Sequence, residues 1–122
     1  MGTPETVPAG QYAKDTLESL KLWDKIKDEN KVFTKNVAEV RTHVANGDAA
    51  AGIIYKSDLV DGVMKGEKLT EVQVFADDLH KPIVYPAAII SASEKKDVAK
   101  TLLDYLQTDK AKAIFEEYGF VI

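Results

Sequence analysis

Three positions in this sequence offer an anion hydrogen-bond donors without contributing a charge. Pro8-Ala9-Gly10 reads as a loop entering a helix, and Asn36-Val37 opens another. The first N–H groups of a helix have no acceptor inside it, and the aligned peptide dipoles add partial positive charge there. Two such starts aimed at one point would hold an anion through the amides of Ala9 and Val37. Tyr55 closes a short apolar run, at the kind of strand end where ligand sites of open α/β sheets gather. Its hydroxyl is a third donor. Nearly every helix start has free amides, however, and most strand-end tyrosines pack in a core or at its rim. The pattern nominates Ala9, Val37 and Tyr55 without deciding between these readings.

The other chemistry-bearing residues are sparse. His43 lies between Val40 and Val44 beside a helical apolar stripe and reads as a partly buried packing residue. His80 precedes Lys81-Pro82 at a strand entry and reads as a structural hydrogen-bonding group. Two histidines without H-x-x-x-H spacing make no metal site. Asp77-Asp78 with His80 has the types for acid/base work, but adjacent carboxylates in a polar loop are ordinarily solvated. No nucleophile elbow, P-loop or dinucleotide-binding glycine pattern occurs, and there is no cysteine for a disulfide, a thiol nucleophile or a thiolate metal site. The sequence therefore predicts no catalytic residue, no metal and no cofactor.

These candidates depend on the elements that carry them. Ala13, Leu17 and Leu20 continue at helical spacing after Gly10, with Trp23 and Ile26 in a short second piece. Lys31-Val32-Phe33 reads as a short strand. Asn36 and Glu39 form a capping-box pattern, Val37, Val40 and Val44 a buried stripe, and Gly47 a terminator. The run from Ala49 to Tyr55 reads as a fully buried strand, with Ser57-Asp58 capping a short helix after it. Val72, Val74 and Ala76 alternate with polar residues like a half-buried strand, and Ile83 to Ile90 reads as another, at an edge because of Pro86. Val98, Leu102, Tyr105 and Leu106 mark one terminal helix. Thr108 caps a second carrying Ala111, Ile114, Phe115 and Tyr118, and Gly119 ends it with Phe120 packed back. Helices and strands alternating in the first half predict an α/β fold, a mixed sheet flanked by helices.

The chain has 122 residues, enough for one domain that buries roughly two-thirds of its unfolded surface. Hydrophobic residues are 45% and charged residues 30%, ordinary globular usage rather than disorder. The net charge is −4, from 16 basic and 20 acidic residues, and no basic cluster marks a nucleic-acid partner. Lys95-Lys96, Lys110 and Lys112 are mixed with acids and read as solubility charges. No apolar run approaches the ~20 residues of a membrane span. No signal peptide is legible after Met1-Gly2-Thr3-Pro4, so the chain reads as cytoplasmic or as a piece of an exported protein.

Several segments together resemble the molybdate-binding proteins of ABC importers. They are Gly2 to Lys14 with its Val7-Pro8-Ala9-Gly10, Leu22-Trp23-Asp24, Asn36-Val37, Ala51-Gly52-Ile53-Ile54-Tyr55-Lys56-Ser57-Asp58, His80-Lys81-Pro82-Ile83-Val84-Tyr85-Pro86, and Ile114 to Phe120. The resemblance runs over nearly the whole chain. It implies one lobe of a type II periplasmic-binding-protein fold, with molybdate or tungstate held as an oxyanion in a cleft between two lobes. Of the family's donors it implies, in this chain, the amides of Ala9 and Val37 and the hydroxyl of Tyr55. It implies further that two serines come from an N-terminal lobe preceding residue 1. Residues 1–122 are then one domain of a partial receptor, with helices in 94–122 returning toward that lobe in the family. The implied partners are the ligand, the permease of the importer and the other lobe, with self-association of the fragment a further expectation. The implied location is the periplasm, or the extracellular side of the membrane with an anchor. A receptor for another oxyanion and the effector domain of a transcriptional regulator share this pattern. The regulator would need a helix-turn-helix, which these residues lack.

Overall fold

A computed structural model describes residues 1–122. The chain forms two compact units, Met1–Pro82 and Ile83–Ile122. In the first unit α1 (Pro8–Ser19), α2 (Val37–Asn46) and α3 (Lys56–Met64) are joined by extended segments and short 3₁₀ turns. In the second, α4 (Lys96–Leu106) leads directly into α5 (Asp109–Glu117).

The core of the first unit is built on α1. Ala9, Ala13, Thr16 and Leu17 are buried on one face of that helix, at the spacing that brings successive turns into register. Pro8 occupies its first position, where a missing N–H costs nothing. Gly10 lets the helix start lie directly on the backbone of the entering chain, because a Cβ there would collide with the Gly2 carbonyl and come within 2.8 Å of the Thr3 carbonyl carbon. That entering segment makes a single parallel bridge, Gly2 with Thr34. Thr3 N–H donates to Thr34 O at 2.9 Å and Thr34 N–H to Met1 O at 3.0 Å. The stretches leading into α1 and α2 thus run side by side in one direction, so both helices start beyond the same end of the bridge.

α2 begins and ends as its sequence demands. The Asn36 side chain accepts from Glu39 N–H at 2.9 Å, while Glu39 reaches back to Lys35 N–H at 3.1 Å. Gly47 closes the helix in the left-handed conformation, with φ 83°. α3 starts at Tyr55, not at Ser57-Asp58 as expected. Tyr55 is the N-cap residue, and Asp58 at the third helical position accepts a hydrogen bond from its backbone N–H.

The expected mixed sheet does not form. Helical residues make up 49% of the chain, and the Gly2–Thr34 bridge is the whole of its strand pairing. Residues 31–33, 49–55, 72–76 and 83–90 carry apolar patterns suited to strands, yet no backbone ladder joins them. An apolar pattern states which face seeks burial. It does not supply the neighbouring backbone that must complete every donor and acceptor of a strand. Val72 is 93% exposed and Val74 66%, so their alternating face has no cover. The 49–55 run finds a different partner, lying against α2 at Gly52, where a Cβ would come within 2.7 Å of Val40 Cγ1 and 2.9 Å of Val44 Cγ2.

The second unit is a helical pair with little buried. Thr108 caps α5 by accepting from Ala111 N–H at 3.3 Å, and Ala111 is the residue this unit buries fully. Gly119 takes φ 83° and turns Phe120 back onto Phe115, the ring centroids 5.9 Å apart and edge to face. Tyr85 meets Phe120 in the same manner at 5.9 Å. These rings border an apolar groove of about 580 Å³ that also involves Leu103 and Leu106.

Candidate functional site

At the start of α1 the hydrogen-bond accounting leaves one donor over. Pro8 has no N–H, and the amides of Gly10 and Gln11 both donate to Val7 O, at 2.9 and 3.2 Å. No side chain caps this helix and no acidic residue lies in its first turn. The Ala9 N–H is therefore left without a protein acceptor, although Ala9 is only 4% exposed. A buried amide in that position needs a partner from outside the chain.

The start of α2 repeats the arrangement. Asn36 Oδ1 satisfies Glu39 at the third position, and the amide of Val37 at the first has no acceptor. Val37 itself is half-buried. Glu39 contributes negative charge to this turn, but its two carboxylate oxygens are engaged, one by Lys35 N–H and the other by Asn36 Nδ2 at 3.3 Å.

Tyr55 stands at the start of α3, half-buried, with its ring edge-on to Tyr12 at 6.5 Å between centroids. Tyr12 lies three residues after Ala9, one turn along α1. The first turns of α1 and the N-cap of α3 thereby meet through these two rings. α2 and α3 are tied by Arg41, whose Nη1 donates to Asp58 O at 3.0 Å and to Asp61 Oδ2 at 2.7 Å. Its Nε lies 2.9 Å from Glu67 Oε2, an ion pair without hydrogen-bond alignment. Each of the three predicted donors thus opens a helix, and the bridge, the tyrosine pair and Arg41 link those three helix starts.

The remaining candidates do other work. His43 is half-buried beside the stripe, with Nδ1 3.5 Å from Asp48 Oδ2 across the end of α2. His80 Nδ1 is 2.8 Å from Lys81 O, the backbone hydrogen bond expected of it, and its ring leans on Tyr12 at 5.9 Å. Asp77 and Asp78 open an exposed 3₁₀ turn. Asp15, Glu18, Asp78 and His80 line a shallow concavity of about 340 Å³. Its carboxylates would repel an oxyanion, and neither Ala9, Val37 nor Tyr55 borders it. Asp58 has its carboxyl pushed up by burial, against the pull of Arg41 and the Tyr55 amide. Asp61 is held below the usual aspartate range by hydrogen bonds from Lys65 and Arg41.

Sequence reading missed Tyr12 and Arg41, and read Asp58 only as a cap of the helix after Tyr55. The i, i+3 spacing of Ala9 and Tyr12 could have placed Tyr12 beside the helix start. Arg41 carries no local signal, because its acidic partners at 61 and 67 lie in later segments.

The family model of bacterial extracellular solute-binding proteins matches residues 1–121. The chain belongs to that family. Among its relatives is YvgL of Bacillus subtilis, a lipoprotein assigned as the substrate-binding part of an ABC transporter. It is 42% identical over 98% of this chain and 44% of its own length. The molybdate-binding protein ModA of Haemophilus influenzae is 38% identical over 98% of the chain and 45% of its own length. Among solved structures, one assigned as the substrate binding domain of a molybdenum ABC transporter from Clostridium difficile superposes with a TM-score of 0.84. It is 41% identical and is matched over 97% of this chain and 49% of its own. The chain therefore spans about half the length of the solute-binding proteins it matches, and over that span it has their fold.

Proposed function

We propose that this chain carries one half of a binding site for molybdate or tungstate, in a solute receptor that delivers the oxyanion to the permease of an ABC importer. The observation that carries this reading is the buried Ala9 amide without a protein acceptor, one helix start away from the equally unpartnered amide of Val37. An oxyanion fully ionised at pH 7 presents acceptors only, and a site made of N–H and O–H donors suits it. Hydrogenphosphate carries a proton and would want an acceptor in return. Molybdate and tungstate are larger than sulfate, so cavity size rather than charge separates them. The relatives named as molybdate-binding support the choice of anion.

Ala9, Val37 and Tyr55 are the donors on this side. The others belong to the first lobe, in the part of the relatives' length that this chain does not span. The protein acts by binding and release, without catalysis, cofactor or resident metal, and the molybdenum arrives as cargo. It works outside the cytoplasmic membrane, in the periplasm or anchored at the cell surface. The lipoprotein relative favours an anchor.

Titration of the ¹⁵N-labelled chain with sodium molybdate tests the reading. The Ala9, Val37 and Tyr55 amide resonances should move on one weak, salt-sensitive isotherm, with sulfate weaker still. Molybdate that leaves all three unmoved, or moves only lysine-rich surface, overturns it.

A further inference from the structure

The Arg41 network lies outside the donor set, yet it spans the two helices that bear Val37 and Tyr55. Arg41 is one helical turn beyond Val37 on α2, and its side chain is only 11% exposed. From there it crosses α3 where Gly62 has no side chain. A Cβ on Gly62 would come within 2.9 Å of Arg41 Cδ and 3.0 Å of Glu67 Oε2. Nη1 grips both the backbone carbonyl of Asp58 and the carboxylate of Asp61, and Nε faces Glu67. Asp58 in turn accepts from the backbone N–H of Tyr55. A continuous path of polar contacts thus runs from Arg41, in the second turn of α2, to the residue that caps α3. Apolar packing between α2 and α3 would hold the helices together but leave them free to slide. A planar guanidinium held at three points fixes their relative advance along the axis. A donor misplaced by a fraction of an ångström loses its aim at a charged acceptor.

We propose that Arg41 is a positioning residue of the oxyanion site, setting the Val37 amide at the start of α2 against Tyr55 at the start of α3. It touches no ligand and acts through the two helix starts. The inference rests on the proposed function, because it assumes that Val37 and Tyr55 serve one anion.

The test is the molybdate titration followed residue by residue in Arg41→Met, which keeps the long apolar stem and removes the fork. In the unaltered chain the three amides follow one isotherm. In Arg41→Met the Ala9 response should persist, since α1 holds no part of the network. The Val37 response should shrink and separate from it, with apparent affinity at Val37 about tenfold weaker, the worth of one mis-aimed donor to a charged acceptor. A purely structural role for Arg41 would lower the melting temperature and leave the three responses on one curve. That outcome, in a variant with a cooperative melt, overturns the inference and leaves the proposed function standing. Absence of any response in the unaltered chain overturns both. Should Arg41→Met fail to fold, the double variant Asp61→Asn/Glu67→Gln keeps the shapes and removes both ionic partners. Separation of the Val37 and Ala9 curves there supports the inference, and a common curve overturns it.

Discussion

Removing one oxygen from Tyr55 separates what its ring does from what its hydroxyl does. Tyr55→Phe keeps the edge-on contact with Tyr12 and the N-cap backbone of α3. What goes is the proposed donor to the oxyanion, worth roughly 1.5–3 kcal/mol if it binds a dianion, so affinity in a receptor carrying the whole site should fall about 10- to 150-fold. Calorimetry returning an unchanged Kd would remove Tyr55 from the site. At Val37 the donor belongs to the backbone, and the informative substitutions differ in that one atom. Val37→Ala keeps the N–H and should bind nearly as before. Val37→Pro lacks it, at a first helical position where proline is tolerated, and should lose binding far more than stability. Equal Kd values for the two would show that this amide is not a ligand. The helix starts that bear Ala9 and Val37 were legible from residue order, because caps are local features, whereas Tyr55 was nominated as the end of a strand and instead caps α3. The buried state of Ala9 was not legible, since it depends on Gly10 packing on the Gly2 backbone, which is itself held by a bridge to distant Thr34. Arg41 was illegible for the same reason: its partners lie 17 to 26 positions away, and only α2 packed on α3 brings them within reach.

Between elements, the contact of α2 with α3 is where charge and space compete. Helix propensity alone favours Gly62→Ala by about 1 kcal/mol. Here the new methyl would press on Leu69, Arg41 and Glu67 at 2.8 to 3.0 Å and push the guanidinium off its partners. The expected outcome is a lower melting temperature; a higher one would mean that Arg41 adjusts freely and clamps little. The same contact responds to acid. Asp61 titrates below its unfolded value because Lys65 and Arg41 bond its charged form. A carboxyl depressed in this way contributes stability above its unfolded pKa and loses it as pH falls through the folded one. Burial raises Asp58, so its contribution has the opposite sign and is lost as pH rises. Asp61→Asn should therefore flatten the acid side of the stability–pH curve, and melts from pH 2 to pH 7 that parallel the unaltered chain would discount the pair. Helices were easier to read than strands throughout. Asn36, Gly47, Thr108 and Gly119 each act within their own element. The apolar runs at 49–55 and 83–90 specify a wish for cover but no pairing partner; the first lies against α2, while most of the second stays exposed.

At the scale of the whole molecule, apolar surface and the proposed half-site have consequences of their own. In the second unit Val84, Tyr85, Ile90, Val98, Leu102, Tyr105, Ile114 and Tyr118 are all exposed, and Val121 is 99% so. Single exposed apolar residues are ordinary, but this density on a 40-residue unit with one fully buried side chain is a surface that seeks a partner. With nothing else in solution, a second copy is the available partner, and exchange of α4 and α5 between copies would cover both surfaces at once. The 122-residue chain should therefore self-associate, and light scattering over a concentration series checks it; a strict monomer at high concentration would count against the argument. Placing a lysine at Ile114 should shift the equilibrium toward monomer without touching Ala9, Val37 or Tyr55. Oxyanion affinity, by contrast, should not follow the oligomeric state. An anion held by this chain's donors alone keeps much of its hydration, and exchanging the rest for protein donors gains little. Every donor absent from the other side forfeits roughly 1.5–3 kcal/mol, so molybdate binding by this chain should lie several orders of magnitude below that of a two-lobed receptor. Submicromolar binding by the 122-residue chain, monomer or dimer, would mean that Ala9, Val37 and Tyr55 form a complete site rather than half of one.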